Sequence, residues 1–240
     1  MNLLFVSRPR LVPALRWFAV LAALLLVACA PRAERRVEVE QFAASAEFYP
    51  RQTGARWRFL PSGESLEGTA VYQTVRGPTM LGGQQYIAWQ LSGRGIDRTS
   101  YRSYSDQGVF VHREDGPGYV ITFDPPLQEM PAAERLNVGT NWQGETTATI
   151  HYTRARPEDR FQRMQIRYRY DVVDRRRVSV SAGTFDVFVI NLESESIDSE
   201  GGRQVLQQEM WFTPFVGEVR NRNNLFLVET NFRMGMSRAN

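Results

Sequence analysis

Met164-Gln165-Ile166-Arg167-Tyr168-Arg169-Tyr170-Asp171-Val172 alternates without a break, apolar or aromatic at even numbers and polar at odd ones. Successive side chains of a strand point to opposite faces, so this period of two describes a β-strand with one face buried and one wet. Upstream, Ala148, Ile150 and Tyr152 alternate with Thr147, Thr149 and His151; downstream, Val178 and Val180 flank Ser179. Phe185 to Leu192 is apolar on both parities and reads as a central strand covered on both faces. Turn-forming clusters interrupt the extended runs at Ser62-Gly63, Asp106-Gln107-Gly108, Asp115-Gly116-Pro117-Gly118, Ala182-Gly183 and Glu200-Gly201-Gly202, as hairpins require. The best helical candidate, Pro125 to Leu136, contains Pro131, so very little helix is expected.

A motif repeats. Gly54-Ala55-Arg56-Trp57 recurs as Gly139-Thr140-Asn141-Trp142, and each copy is followed by a strand-like run, a Gly-led strand and further aromatic strands in the same order. The pattern predicts two similar halves, 48–125 and 126–235, within one antiparallel β-domain over residues 47–240. Trp57 and Trp142 are then expected at equivalent places in a common core.

The chain has 240 residues, 42% of them hydrophobic and 12% aromatic, which is too apolar for disorder and enough for one sizeable domain. A single Cys excludes a disulfide framework and any multi-Cys metal site. All 29 basic residues are Arg, against 26 acids, for a net charge of +3. That excess lies in residues 1–28, which hold Arg8, Arg10 and Arg16 and no acid, so the remainder is formally neutral. A neutral body has no general electrostatic footprint for nucleic acid, and no nucleic-acid partner is expected.

The Arg-bearing start runs into the apolar stretch Trp17 to Ala28 and stops at Cys29. A basic segment before about a dozen apolar residues reads as a secretory signal, since a membrane span needs roughly 20. Leu26-Val27-Ala28-Cys29 resembles the bacterial lipobox. The resemblance implies that residues 1–28 are a signal peptide and that Cys29 is the lipidation site, carrying palmitate-type acyl chains that tether the protein to a membrane. Residues 29–46 are then a lipidated tether. Ala30 stands where an Asp would hold an enterobacterial lipoprotein at the inner membrane, so the expected location is the cell envelope, at the outer membrane facing the periplasm or the cell surface.

Phe48-Tyr49-Pro50 with Gly54 and Trp57, then Gly183-Thr184-Phe185, then Trp211-Phe212-Thr213-Pro214-Phe215-Val216-Gly217-Glu218-Val219, resemble in order the short motifs of a class of bacterial envelope proteins. That class is similar to the LolA/LolB-like group of periplasmic lipoprotein carriers. The resemblance implies a mainly β fold, a strongly curved antiparallel sheet forming an unclosed half-barrel with an apolar concave face. The chain departs from the carriers in having no clear lid helices.

Catalytic signatures are sparse. His112 and His151 sit far apart on strand-like segments, the absence of Lys removes Schiff-base chemistry, and no nucleophile elbow, phosphate loop or zinc-protease motif occurs. Neither an enzyme nor a cofactor is expected, and no metal ligand set is assigned. Glu193 to Glu200 offers carboxylates but reads as a solvated hairpin end. Arg167, Arg169, Arg175 and Arg177, with Arg176 beside them, form a basic stripe on polar strand faces, open to cross-strand pairing with those acids or to a phosphate, a lipid headgroup or a polysaccharide. The tryptophans after the signal read first as core. The expected function is a non-catalytic, membrane-anchored binding module for an apolar or lipid-like ligand on a curved sheet. The alternative is a structural or accessory subunit of an envelope complex, docking on partner proteins.

Overall fold

The computed structural model describes residues 47–231. The signal segment, Cys29 and the tether lie outside the described residues. Twelve strands follow in chain order: β1 Arg56–Leu60, β2 Val71–Leu81, β3 Gln84–Gly93, β4 Ile96–Ser105, β5 Gly108–Gly116, β6 Tyr119–Pro131, β7 Asn141–Tyr152, β8 Phe161–Val180, β9 Gly183–Asp198, β10 Arg203–Thr213, β11 Gly217–Arg220 and β12 Phe226–Thr230. The quoted run lies inside β8, and every turn cluster read from the sequence falls at a junction of consecutive strands. The helical candidate Pro125 to Leu136 continues β6 and ends in a single 3-10 turn at Ala133–Arg135, in keeping with the little helix expected.

Each strand pairs antiparallel with its neighbours, and β1 pairs with β12, Trp57 opposite Thr230 and Leu60 opposite Phe226. The barrel is closed, which corrects the expected half-barrel. An open sheet would leave a row of unpaired N–H and C=O groups on two edges, and joining the first strand to the last removes both rows. The twelfth strand is only five residues long, Phe-Leu-Val-Glu-Thr, too short to show a period in the sequence.

The halves, β1–β6 and β7–β12, begin with the same hydrogen bonds. Gly54 N donates to Val75 O at 2.8 Å and Val75 N to Ala55 O at 2.9 Å; Gly139 N donates to Val172 O at 2.8 Å and Val172 N to Thr140 O at 2.9 Å. Both glycines have positive φ, 85° and 88°, which a side chain would strain. The next register shift follows the same residue in each half, after Val75 between β2 and β3 and after Val172 between β8 and β9.

The barrel is uneven. β11 and β12 are short, so residues 203–210 of β10 pair with β9 alone, and the sheet of β5 to β10 continues as a blade to the end that carries turns 117–118, 153–160 and 199–202. We call this the blade end; the opposite end is crossed by Phe48-Tyr49-Pro50. Along β8 the even residues Tyr168, Tyr170 and Val172 are buried inside, and Arg163, Arg167 and Arg169 are exposed outside. The alternation is thus apolar inward and charged outward, the reverse of a membrane-spanning barrel. No helix among the described residues is long and apolar enough to cross a membrane.

The interior does not form one core. Trp142 stacks on Tyr170 at 4.8 Å and packs with Met130, Phe188, Ile190, Met210 and Phe212. Trp57 stacks on Trp89 at 5.3 Å and packs with Phe59, Val71, Val75, Val216 and Leu227. The two tryptophans therefore sit in separate clusters, correcting the expectation of a shared one. Charged side chains that no apolar period announces lie between them.

Candidate functional site

The inward face of β4 carries Arg98, Ser100 and Arg102 by the regular alternation of the strand, with Arg102 beside Trp89 of β3. Glu129 comes from β6, Glu218 from β11 and Arg222 from the turn between β11 and β12. These side chains meet in the lumen. Glu129 Oε1 accepts from Arg102 Nη2 at 3.1 Å and from Arg222 Nη2 at 2.9 Å, and Arg102 Nε lies 2.9 Å from Glu129 Oε2. The side chains of Glu129, Arg102 and Arg222 are only 10%, 12% and 24% exposed. Each guanidinium also stacks on an aromatic ring: Arg102 is 4.6 Å from the centre of Trp89 and Arg222 is 5.5 Å from that of Tyr170. Trp89 Nε1 in turn donates to Tyr104 Oη at 3.0 Å.

The electrostatics divide the carboxylates. Burial alone would raise the Glu129 carboxyl, but Arg102, Arg222 and Arg98 outweigh it and hold the group below its ordinary value, so it is anionic. Burial dominates at Glu218, whose carboxyl is raised despite the attraction of Arg222. Among the described residues Glu218 makes no side-chain hydrogen bond or ion pair. Burial also pushes Tyr170 and Tyr104 up to about 12, so both hydroxyls stay protonated.

Around this cluster lie two small cavities. One, of about 70 Å³, is lined by Arg98, Ser100, Arg102, Glu114, Glu129, Glu218 and Arg222 together with Gln73, Trp89 and the turn residues Asn221 and Asn223. The second, of about 40 Å³, lies toward the other end, between Tyr49, Pro50, Trp57, Tyr104, Met130 and Phe212. Both share Gln73, Trp89, Arg102, Glu129 and Glu218 as a common wall. Tyr49 Oη donates to Pro131 O at 2.6 Å and Phe48 packs against Phe212 and Phe215, so the Phe48-Tyr49-Pro50 segment stoppers that end. Ligand pockets usually measure roughly 300–1,000 Å³, so neither of these two cavities is large enough to enclose an acyl chain.

A contiguous run of apolar side chains lines the inner face of the blade. Glu114, in the wall of the first cavity, stands opposite Ile121, which stands opposite Ile150. Phe123 and Met164 both flank Ala148, and Ile166 follows on the same face. All of these except buried Ala148 are half-buried, and Leu206 at the rim is 44% exposed. A charged chamber thus passes directly into an apolar inner face.

The arginine stripe lies elsewhere, on the outside. Arg167 pairs with Glu145 at 3.0 Å, Arg169 with Asp171 at 2.8 Å and Arg177 with Asp186 at 3.0 Å. Arg176 is 3.9 Å from Asp174, and Arg175 stacks over Phe188. Arg167 and Arg169 do stand opposite Glu195 and Glu193 in register, yet their ion pairs are with other carboxylates, and Glu195 pairs with Arg203. Asp198 is spent on its own turn, accepting from Glu200 N and Gly202 N. His112 Nε2 is 2.7 Å from Ser103 Oγ, burial lowers its pKa, and His151 stacks on Phe161.

Sequence reasoning missed the chamber. Glu129 fell in the helical candidate, Arg222 in an Asn-rich turn, and Arg98 and Arg102 in a polar strand whose inward parity looks no different from its outward one. The one available signal was Glu218, in the Gly217-Glu218-Val219 motif.

No family model and no curated protein matches the chain. Among solved structures it is similar to a protein of Parabacteroides distasonis described as a putative lipoprotein, at 16% identity and a TM-score of 0.45 over 77% of this chain and 98% of that one. It is similar also to a protein of Bacteroides fragilis described as a putative exported protein with a YmcC-like fold, at 13% identity and a TM-score of 0.45 over 78% of this chain and 99% of that one.

Proposed function

We propose that the chain is an envelope protein, tethered through Cys29 to the outer membrane, that binds an amphiphile without turning it over. The polar end of the ligand enters the chamber of Arg98, Arg102, Glu218 and Arg222, and its apolar part lies along Ile121, Phe123, Ile150, Met164, Ile166 and Leu206. The observation that carries this reading is the direct adjacency of Glu114 and Ile121, where the charged wall becomes the apolar face. Half-buried apolar side chains gain roughly 25 cal/mol for every Å² that a ligand covers. The reading is one of binding because the anionic carboxylate at the centre, Glu129, is already spent on two guanidinium groups.

The test is purification of the full chain from membranes, followed by extraction and mass spectrometry of bound lipids and of co-purifying proteins. About one amphiphile per chain is expected, with loss of it in Ile166→Glu while the strand-type circular dichroism spectrum persists. Absence of bound lipid together with a stoichiometric protein partner would replace this reading with that of an accessory subunit.

A further inference from the structure

We propose that the chamber selects a monoanionic carboxylate head, gripped between the Arg222 guanidinium and the side chain of Glu218. The inference rests on the amphiphile reading above and names the ligand's head. Two observations carry it, charge and size.

The first is the charge count in the chamber. Arg98, Arg102 and Arg222 bring three positive charges. Glu114, 3.7 Å from Arg98, and Glu129, bound to both Arg102 and Arg222, offset two of them. Glu218 is the carboxyl left over, with no ion pair among the described residues, facing both cavities. Burial favours its neutral form, and in that form the chamber holds one uncompensated positive charge and a carboxylic O–H able to donate. A ligand carboxylate satisfies both: one oxygen accepts a charge-assisted hydrogen bond from the Glu218 O–H, which keeps its proton, and the negative charge balances the guanidinium. No covalent bond changes.

The second is size. A volume of about 70 Å³ has room for roughly five water-sized groups. That admits a three-atom carboxylate with the first methylenes of its chain.

The groups facing Glu218 fix how binding responds to pH. They are Arg222, Glu129, Arg102 and Arg98, with Glu114 across the first cavity, the Tyr49 and Tyr104 hydroxyls across the second, and the Tyr170 hydroxyl beside Arg222. When Glu218 ionises it adds a like charge to the ligand's own and withdraws its donor, so affinity falls as pH rises.

The experiment measures binding of dodecanoate and dodecanol by the full chain in dilute non-ionic detergent, from about pH 5.5 to about pH 9, a range over which ordinary carboxylates are ionised. Dodecanoate is expected to bind about tenfold or more tightly than dodecanol at the acid end, the usual worth of a hydrogen bond to a charged group. Its advantage should shrink as pH rises. Glu218→Gln keeps a donor and cannot ionise, so it should retain the preference and lose the pH dependence. Equal binding of acid and alcohol would overturn the carboxylate head while leaving the amphiphile reading standing. An unchanged pH profile in Glu218→Gln would overturn the role of Glu218, and binding of neither ligand would overturn both readings.

Discussion

Replacing Glu129 with Gln tests whether the charged cluster is held together as its geometry says. The carboxylate takes contacts at 3.1, 2.9 and 2.9 Å from two guanidinium groups. Removing one partner of a buried ion pair leaves an uncompensated charge and costs about 3–5 kcal/mol. Here two positive charges are orphaned, but Arg222 is 24% exposed and regains some water, and the Gln oxygen keeps one acceptor. The expected loss is therefore near the lower end, about 3 kcal/mol. For a domain of this size that lowers the midpoint of thermal unfolding by about 6–12 °C. Denaturant unfolding followed by tryptophan fluorescence is the assay, because Trp89 and Trp142 flank the cluster. The triple variant Arg102→Met, Glu129→Leu, Arg222→Met should be more stable than Glu129→Gln, since a buried polar set replaced by apolar groups of similar volume no longer contains an unpaired charge. A loss below about 1 kcal/mol in Glu129→Gln would refute the reasoning and place the cluster in solvent.

The same carboxylate sets an acid limit. Its folded-state pKa lies below the ordinary value, so its stabilisation is present above the unfolded pKa of about 4.3 and is lost as pH falls through the folded one. Acid unfolding profiles of the wild type and Glu129→Gln should therefore converge as the pH drops. Trp57→Ala and Trp142→Ala should each cost about 3–5 kcal/mol and sum in the double variant, because the two rings belong to different clusters; strong non-additivity in urea titrations would mean that one core contains both. Cys29→Ser should move the protein out of the membrane pellet after a carbonate wash, and its retention there would count against the lipid anchor.

How much the sequence disclosed follows from what kind of signal each feature leaves. The alternation in β8 is local and strong because nine consecutive residues obey one rule, and the hairpin turns are legible because Gly and Asp or Ser perform them directly. The repeat was visible through Gly54 and Gly139, whose positive φ the backbone needs at the start of each half. Closure was not legible. It depends on Trp57 finding Thr230 across the length of the domain, through a strand too short to carry a pattern. The chamber was hidden for a related reason. Binary patterning assigns a charged residue to the wet face, whereas Arg102 and Glu129 point inward and are tolerated there because they neutralise each other across strands β4 and β6. The arginine stripe drew notice because five arginines lie close in sequence, yet closeness in sequence says nothing of which carboxylate each one meets.

The central claim is that an amphiphile lies with its head in the chamber and its chain along the blade, and photo-crosslinking locates it directly. A fatty acid carrying a diazirine next to its carboxylate is bound to the full chain, photolysed, and mapped by peptide mass spectrometry. The account predicts adducts within Arg98–Arg102 or Glu218–Arg222, and, when the diazirine sits near the far end of the chain, within Ile150, Ile166 or Leu206. Adducts confined to outward-facing positions such as Val173 or Val205, or none above the unphotolysed control, would contradict it.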